Sequence, residues 1–123
     1  MIEDYAILGG VTTVHQFCRI GTRAITGASS RVVQDVPPYM MADGHPAGLV
    51  GLNSVGLERA GIAAETRQAL KRAFRQVFLR GPYAEALTAL EADSAPRAPE
   101  LDRLLLFLRS SQRGIMRARK SRK

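Results

Sequence analysis

Counting in sixes from the second residue brings up Ile2, Leu8, Val14, Ile20, Thr26 and Val32, five aliphatic side chains and one β-branched threonine. A second series with the same step, Ala6, Thr12, Cys18, Ala24 and Ser30, holds only small residues. Glycine follows the first series at Gly9, Gly21 and Gly27. One branched apolar and one small residue per six predict a hexapeptide-repeat parallel β-helix, in which three short strands make one triangular coil of about 18 residues. The apolar residue faces the inside of the prism and stacks on its equivalents above and below. The small residue sits at a corner. Six such units make about two coils. Ordinary paired strands would require alternation with period two, which Leu8-Gly9-Gly10-Val11 and Ile20-Gly21-Thr22-Arg23 lack.

Val36-Pro37-Pro38-Tyr39 is read as the exit from the coils, because proline removes an amide donor and restrains the residue before it. The glycine-rich stretch that follows, with Gly44, Pro46, Gly48 and Gly51, predicts a structured connecting loop. The period then becomes helical. Asn53 is an N-cap for a short turn through Arg59, closed by Gly61. Over Ala63 to Arg80, Leu70, Phe74, Val77 and Phe78 share one face, with Arg67, Lys71, Arg72 and Arg75 around the other. Gly81 closes that helix, and Pro82 opens a second one with Tyr83, Ala86, Leu87 and Leu90 inward. Pro99 opens a third, with Leu101, Leu104, Leu105 and Leu108 as its apolar set, and Gly114 is expected to end the ordered chain. The predicted organisation is therefore β-helix coils over 1–36, a connecting loop over 37–53, a small helical bundle over 54–114, and a basic tail over 115–123.

Composition narrows this picture. With 46% apolar and 24% charged residues in 123, the chain has the makings of one modest globular unit. The one cysteine excludes an internal disulfide and a cysteine-rich zinc site, and its place in the small-residue series marks Cys18 as a buried corner thiol. His15 and His45 alone cannot supply a metal site of normal ligand number. No apolar run is long enough to span a bilayer, and the acidic N-terminal stretch MIEDYAILGG is unlike a secretory signal, so a reducing, cytoplasmic setting is expected. The net charge of +7 resides in Arg109, Arg113, Arg117, Arg119, Lys120, Arg122 and Lys123; the rest of the chain carries 11 bases and 11 acids. No aromatic residue is interleaved with that basic run, so it is read as a solvated end rather than a nucleic-acid surface.

Three motifs occur in order: Val14-His15-Gln16-Phe17, Gln34-Asp35-Val36-Pro37-Pro38-Tyr39, and Gly51-Leu52-Asn53-Ser54-Val55-Gly56-Leu57-Glu58-Arg59. Together with the hexads, they resemble the C-terminal part of the acyl-carrier-protein–UDP-N-acetylglucosamine O-acyltransferases of lipid A biosynthesis. The resemblance runs from Ile2 to about Met116. It implies a left-handed β-helix in a homotrimer with active sites between prisms. It also implies transfer of a 3-hydroxyacyl group from acyl carrier protein, on its phosphopantetheine and with no further cofactor, to the 3-hydroxyl of the sugar. A histidine serves as general base, since an imidazole titrates near working pH. By the same resemblance, His15 and Gln16 line the cleft near the sugar nucleotide, Asn53 and Arg59 contact its nucleotide portion, and Ala28 stands where acyl-chain length is set. Val55 takes the place of a carboxylate often seen there, and Ala60 that of a second base. The family's general-base histidine belongs to an H-x-A-H-D segment about two coils before V-H-Q-F, which these 123 residues do not contain. The chain is read as a fragment of such an enzyme, inactive by itself.

The alternative reading is a non-catalytic module that docks acyl carrier protein or another anionic partner through the basic helix face and tail. Either reading leaves the first coil with an uncovered prism end near Ile2, Ile7 and Leu8 and with unpaired strand edges. The isolated chain is therefore expected to self-associate, which sedimentation velocity checks; a sharp, cooperative melt of a clean monomer would contradict it.

Overall fold

The computed structural model describes residues 1–93 and 95–119. Short strands β1 (Ile7–Leu8), β2 (Thr13–Val14), β3 (Ile25–Thr26) and β4 (Arg31–Val32) pair in parallel, β1 with β3 and β2 with β4. Partners lie eighteen residues apart: Ile7 with Ile25, Val14 with Val32, and Ile2 with Ile20 through an isolated bridge. The amides of Ile7, Gly9, Thr13 and His15 each donate to a carbonyl of the next coil, at 2.7–3.0 Å. Such a stack satisfies the backbone only if every rung repeats in register. Gly9 shows how tight the stacking is: a Cβ there would lie 2.6 Å from the Ala28 amide nitrogen.

The chain turns at Tyr5, Val11, Phe17, Arg23 and Ser29, all with φ between 56° and 71°. The corners thus recur every six residues, one position before the small-residue series, whose later members Cys18, Ala24 and Ser30 are buried inside the bend. None of the five turning residues is glycine. Each therefore carries a left-handed conformation that disfavours an L side chain by roughly 1–2 kcal/mol, held in place by the ladder on either side.

Pro37 and Pro38 do not take the chain away from the coils, as the exit reading expected. The rung shortens by two residues, Ile20 meets Val36, and β5 (Met40–Gly44) stacks in parallel on β3. The stretch expected to be a connecting loop is a β-hairpin, β5 returning antiparallel as β6 (Ala47–Leu52). Met40, Ala42 and Leu49 are buried, so hairpin residues carry the coil's core onward. Gly44, at φ +114°, serves the turn, and Gly48 admits the neighbouring backbone at Arg119, where a Cβ would approach to 3.0 Å.

Helices follow in the predicted order: α1 (Ser54–Arg59), α2 (Ala64–Phe74), α3 (Tyr83–Ala92) and α4 (Pro99–Ser110). α2 passes into a π-helical turn, Arg75–Arg80, where a continuous α-helix was expected. The wider turn accompanies the seating of Phe78 between Phe74 and Tyr83, at centroid distances of 5.6 and 6.0 Å. Leu70, Phe74, Val77, Leu87, Leu104, Leu105 and Leu108 are buried in one cluster continuous with Ile20, Val32 and Val36 of the coils. Phe107, absent from the predicted apolar set, is buried as well, under the guanidinium of Arg19 at 4.1 Å.

The expectation that order ends at Gly114 is corrected. Gly114, at φ +99°, turns the chain back onto the β structure. Ile115 bridges Asp35, Ala118 bridges Leu49, and Ile115 and Met116 are buried. Arg117 lies over the Tyr83 ring at 4.5 Å and Arg119 pairs with Asp43 at 3.3 Å. Arg109 lies on α4 and grips Glu91 of α3 at 2.9 Å, holding that carboxyl below the usual carboxylate range. Much of the basic run is therefore engaged with the protein; residues 120–123 lie outside the described residues.

Asp35 ties these parts together. It is 1% exposed. One carboxylate oxygen accepts the Arg19 amide at 2.8 Å and the other accepts the Ser111 hydroxyl at 2.6 Å. Its amide donates to Gly114 and its carbonyl accepts from Met116, both at 2.9 Å. Asp35→Ala should cost about 2–4 kcal/mol, because two partly buried donors lose their acceptor. Urea denaturation measures the loss, and hydrogen exchange at Met116 should accelerate; Asp35→Asn, which keeps one acceptor oxygen, should recover part of it.

Candidate functional site

A cavity of about 390 Å³ opens between one corner of the coils and α1. Ile7, Ile25 and Met41 supply an apolar wall from successive rungs, and Tyr5 and Arg23 stand at the stacked corner beside it. Asn53 and Arg59 face them from the start and end of α1. Among the described residues no carboxylate lines this space, and the charge they bring to it is that of two guanidinium groups.

Asn53 holds the two walls together. Its side-chain oxygen accepts the Gly56 amide at 3.2 Å, capping α1, while its side-chain nitrogen donates to the Arg23 carbonyl at 3.0 Å. Its own amide donates to the Tyr39 carbonyl at 2.8 Å. Gly56 is required by this arrangement, since a Cβ there would lie 2.9 Å from the Asn53 side-chain oxygen. On the other wall, the Arg23 guanidinium lies 4.2 Å from the centre of the Tyr5 ring. Cation–π stacking of this kind holds a guanidinium by its face and leaves its N–H edge free.

Of the residues singled out from the sequence, the fold brings Asn53 and Arg59 to this cavity. His15 and Gln16 lie elsewhere, in an exposed turn where the His15 Nδ1 is 2.8 Å from the Gln16 carbonyl. Ala28 is exposed beside the Ser29 corner and His45 is exposed at the hairpin tip; neither lines the cavity. Val55 and Ala60 do line it. Cys18 is buried, and burial first, then the charge of Asp35, pushes its thiol up, which keeps it protonated and inert. Among the described residues, no three His, Cys, Asp or Glu side chains are grouped to hold a metal ion.

Tyr5 and Arg23 were not singled out. Their signal was nonetheless present: they are eighteen residues apart, so a coil of that length places them on one corner, one above the other.

The family model for UDP N-acetylglucosamine O-acyltransferase, domain 2, matches residues 35–116, the segment that contributes Met41, Asn53 and Arg59 to the cavity. The chain belongs to this acyltransferase family. It is 48% identical over 117 residues to the acyl-[acyl-carrier-protein]–UDP-N-acetylglucosamine O-acyltransferase of Thiobacillus denitrificans, covering 94% of this chain and 45% of that protein. The enzyme of the same name from Herminiimonas arsenicoxydans is 43% identical over 120 residues, covering 94% and 46%. Among solved structures, LpxA from Acinetobacter baumannii superposes with a TM-score of 0.87 at 37% identity, over 94% of this chain and 45% of that one. The Arabidopsis UDP-N-acetylglucosamine acyltransferase gives 0.86 at 38% identity, over 94% and 44%. The chain thus spans a little under half the length of the acyltransferases it matches. Among its described residues, no helix is long and apolar enough to cross a membrane.

Asn53→Ala should destabilise the protein by about 2 kcal/mol, combining the loss of a helix cap with the loss of the bond to the Arg23 carbonyl. Chemical denaturation checks this, and the amide of Gly56 should lose its protection from exchange in the same variant.

Proposed function

We infer that this chain is the C-terminal part of an enzyme that moves a 3-hydroxyacyl group from acyl carrier protein to the 3-hydroxyl of UDP-N-acetylglucosamine. The observation that carries the reading is the cavity lined by Asn53 and Arg59, within the family-matched segment, with guanidinium charge and no facing carboxylate. On this reading, the cavity takes the nucleotide portion of the acyl acceptor, the sugar nucleotide. Arg59 meets a phosphate or ribose oxygen with its fork of N–H groups, and the Ile7, Ile25 and Met41 wall shields the contact from water.

About two coils of a left-handed prism carry His15 and Gln16 on a separate surface, and a second copy in a trimer would bring that surface to face the cavity. Ala28 would then border the acyl chain. The general-base histidine that the resemblance implies belongs to an H-x-A-H-D segment that these 123 residues do not contain, so on this reading the chain alone binds the sugar nucleotide without turning it over. Acyl carrier protein, which is acidic, would dock on the helical side. Lys71 and Arg67, the latter also paired with Glu58 at 3.8 Å, line a cleft of about 310 Å³ with Ser54 and Gln68, and the net positive charge there favours an acidic partner.

Titration calorimetry with UDP-N-acetylglucosamine tests the reading. Weak binding is expected, and Arg59→Ala should weaken it about tenfold, the worth of one charge-assisted hydrogen bond of about 1.5 kcal/mol. An unchanged affinity in that variant would show that Arg59 does not contact the nucleotide. Absence of any binding, with salt-sensitive capture of acyl carrier protein intact, would favour a docking module instead.

A further inference from the structure

We propose that Arg23, held in place by Tyr5, is the second cation of a clamp for the diphosphate of the nucleotide, opposite Arg59. The proposal rests on the nucleotide reading of the cavity and goes further, giving the coil corner a role that no sequence motif assigned to it.

Four observations carry it. First, the two arginines enter one cavity from different elements, Arg23 from a coil corner and Arg59 from the end of α1. Second, neither has a carboxylate within 4.0 Å among the described residues, although Arg19, Arg67, Arg97, Arg109 and Arg119 each do. Two like charges facing one partly enclosed space raise each other's energy, and a ligand with two negative charges relieves that cost. Third, Arg23 is fixed at both ends. Its backbone turns at φ 56° with its carbonyl bonded to Asn53, and its guanidinium rests on Tyr5. A long side chain so restrained loses less freedom on binding than a solvated arginine would. Fourth, Tyr5 is 71% exposed, so solvation of its ring does not require the stacking geometry. What the stacking does is orient the guanidinium.

A smaller chamber of about 200 Å³ adjoins the same two residues and continues toward Tyr39 and Arg103. Asp4 and Glu100 also line it, which balances the charge there. The anion preference therefore belongs to the larger cavity, and Arg23 stands at the wall between the two.

The test compares uridine, UMP and UDP binding to the full 123-residue chain and its variants by titration calorimetry. Arg23→Gln should weaken UDP about tenfold while leaving uridine within about twofold, because only the phosphate contacts are removed. Arg23→Lys should recover part of the loss. Tyr5→Phe should bind UDP as the parent does, whereas Tyr5→Ala should weaken UDP several-fold with uridine unaffected. These two substitutions lie at an exposed position and read the clamp even if Arg23 variants fold poorly. If Arg59→Gln lowers the preference for UDP over uridine and the Arg23 and Tyr5 variants leave it unchanged, the clamp is wrong and the nucleotide reading stands. If the parent chain binds none of the three ligands, both are wrong.

Discussion

A parallel coil is stable only when every short strand meets its equivalent one turn away, and in this protein that distance is eighteen residues. Everything else depends on this register. It aligns Ile7 with Ile25 and Val14 with Val32, and it makes the left-handed turns at non-glycine residues tolerable by bonding the chain on both sides of each turn. A slip of one residue would turn the inward series outward and bring the glycine at position 9 under a side chain. The same register creates the site. Tyr5 and Arg23 meet because their corners are stacked, and Ile7, Ile25 and Met41 form one wall because β1, β3 and β5 are successive rungs.

Two buried polar side chains, Asn53 and Asp35, help attach the helices to this scaffold. Asn53 spans the cavity's two walls, with one end of its amide serving the α1 cap and the other the Arg23 carbonyl. Asp35 does the corresponding work on the other side, gathering Arg19 of the coils, Ser111 after α4 and the backbone of the returning C-terminal segment. Both are buried, and both have their oxygens matched to fixed donors, which is what makes a buried polar group cohesive rather than costly. Between them the apolar core passes without interruption from coil to hairpin to helices.

The distribution of arginines follows from the same packing. Arg19 lies over Phe107, Arg117 over Tyr83, and Arg109 and Arg119 pair with Glu91 and Asp43. A chain with an excess of positive charge thus uses much of it internally, joining elements distant in sequence. Arg23 and Arg59 instead share one space, which no carboxylate lines among the described residues. That sharing, more than the net charge, is what supports the proposed anion site.

The repeat, its register and the helical segments were legible in the sequence because they are local: a six-residue backbone rhythm and a 3.6-residue apolar stripe leave their mark on every few residues. The position of Arg23 above Tyr5 was implicit in that rhythm too. The hairpin over Met40 to Leu52 was not, because glycine and proline report where a chain bends, not what it bends to meet. The return of Ile115 to Ala118 was hidden in the same way. A run of arginines reads as solvated until Asp35, Leu49, Tyr83 and Asp43 are placed beside it. Asn53 could be read as a cap from its neighbours alone, but its second bond, to a carbonyl thirty residues earlier, exists only once coil and helix are packed. The sequence by itself determined the coil repeat, the helices and the apolar face of each helix. The tertiary structure decided which surfaces meet and therefore where the cavity lies, because long-range contacts depend on the complementarity of whole faces, and no local pattern encodes that.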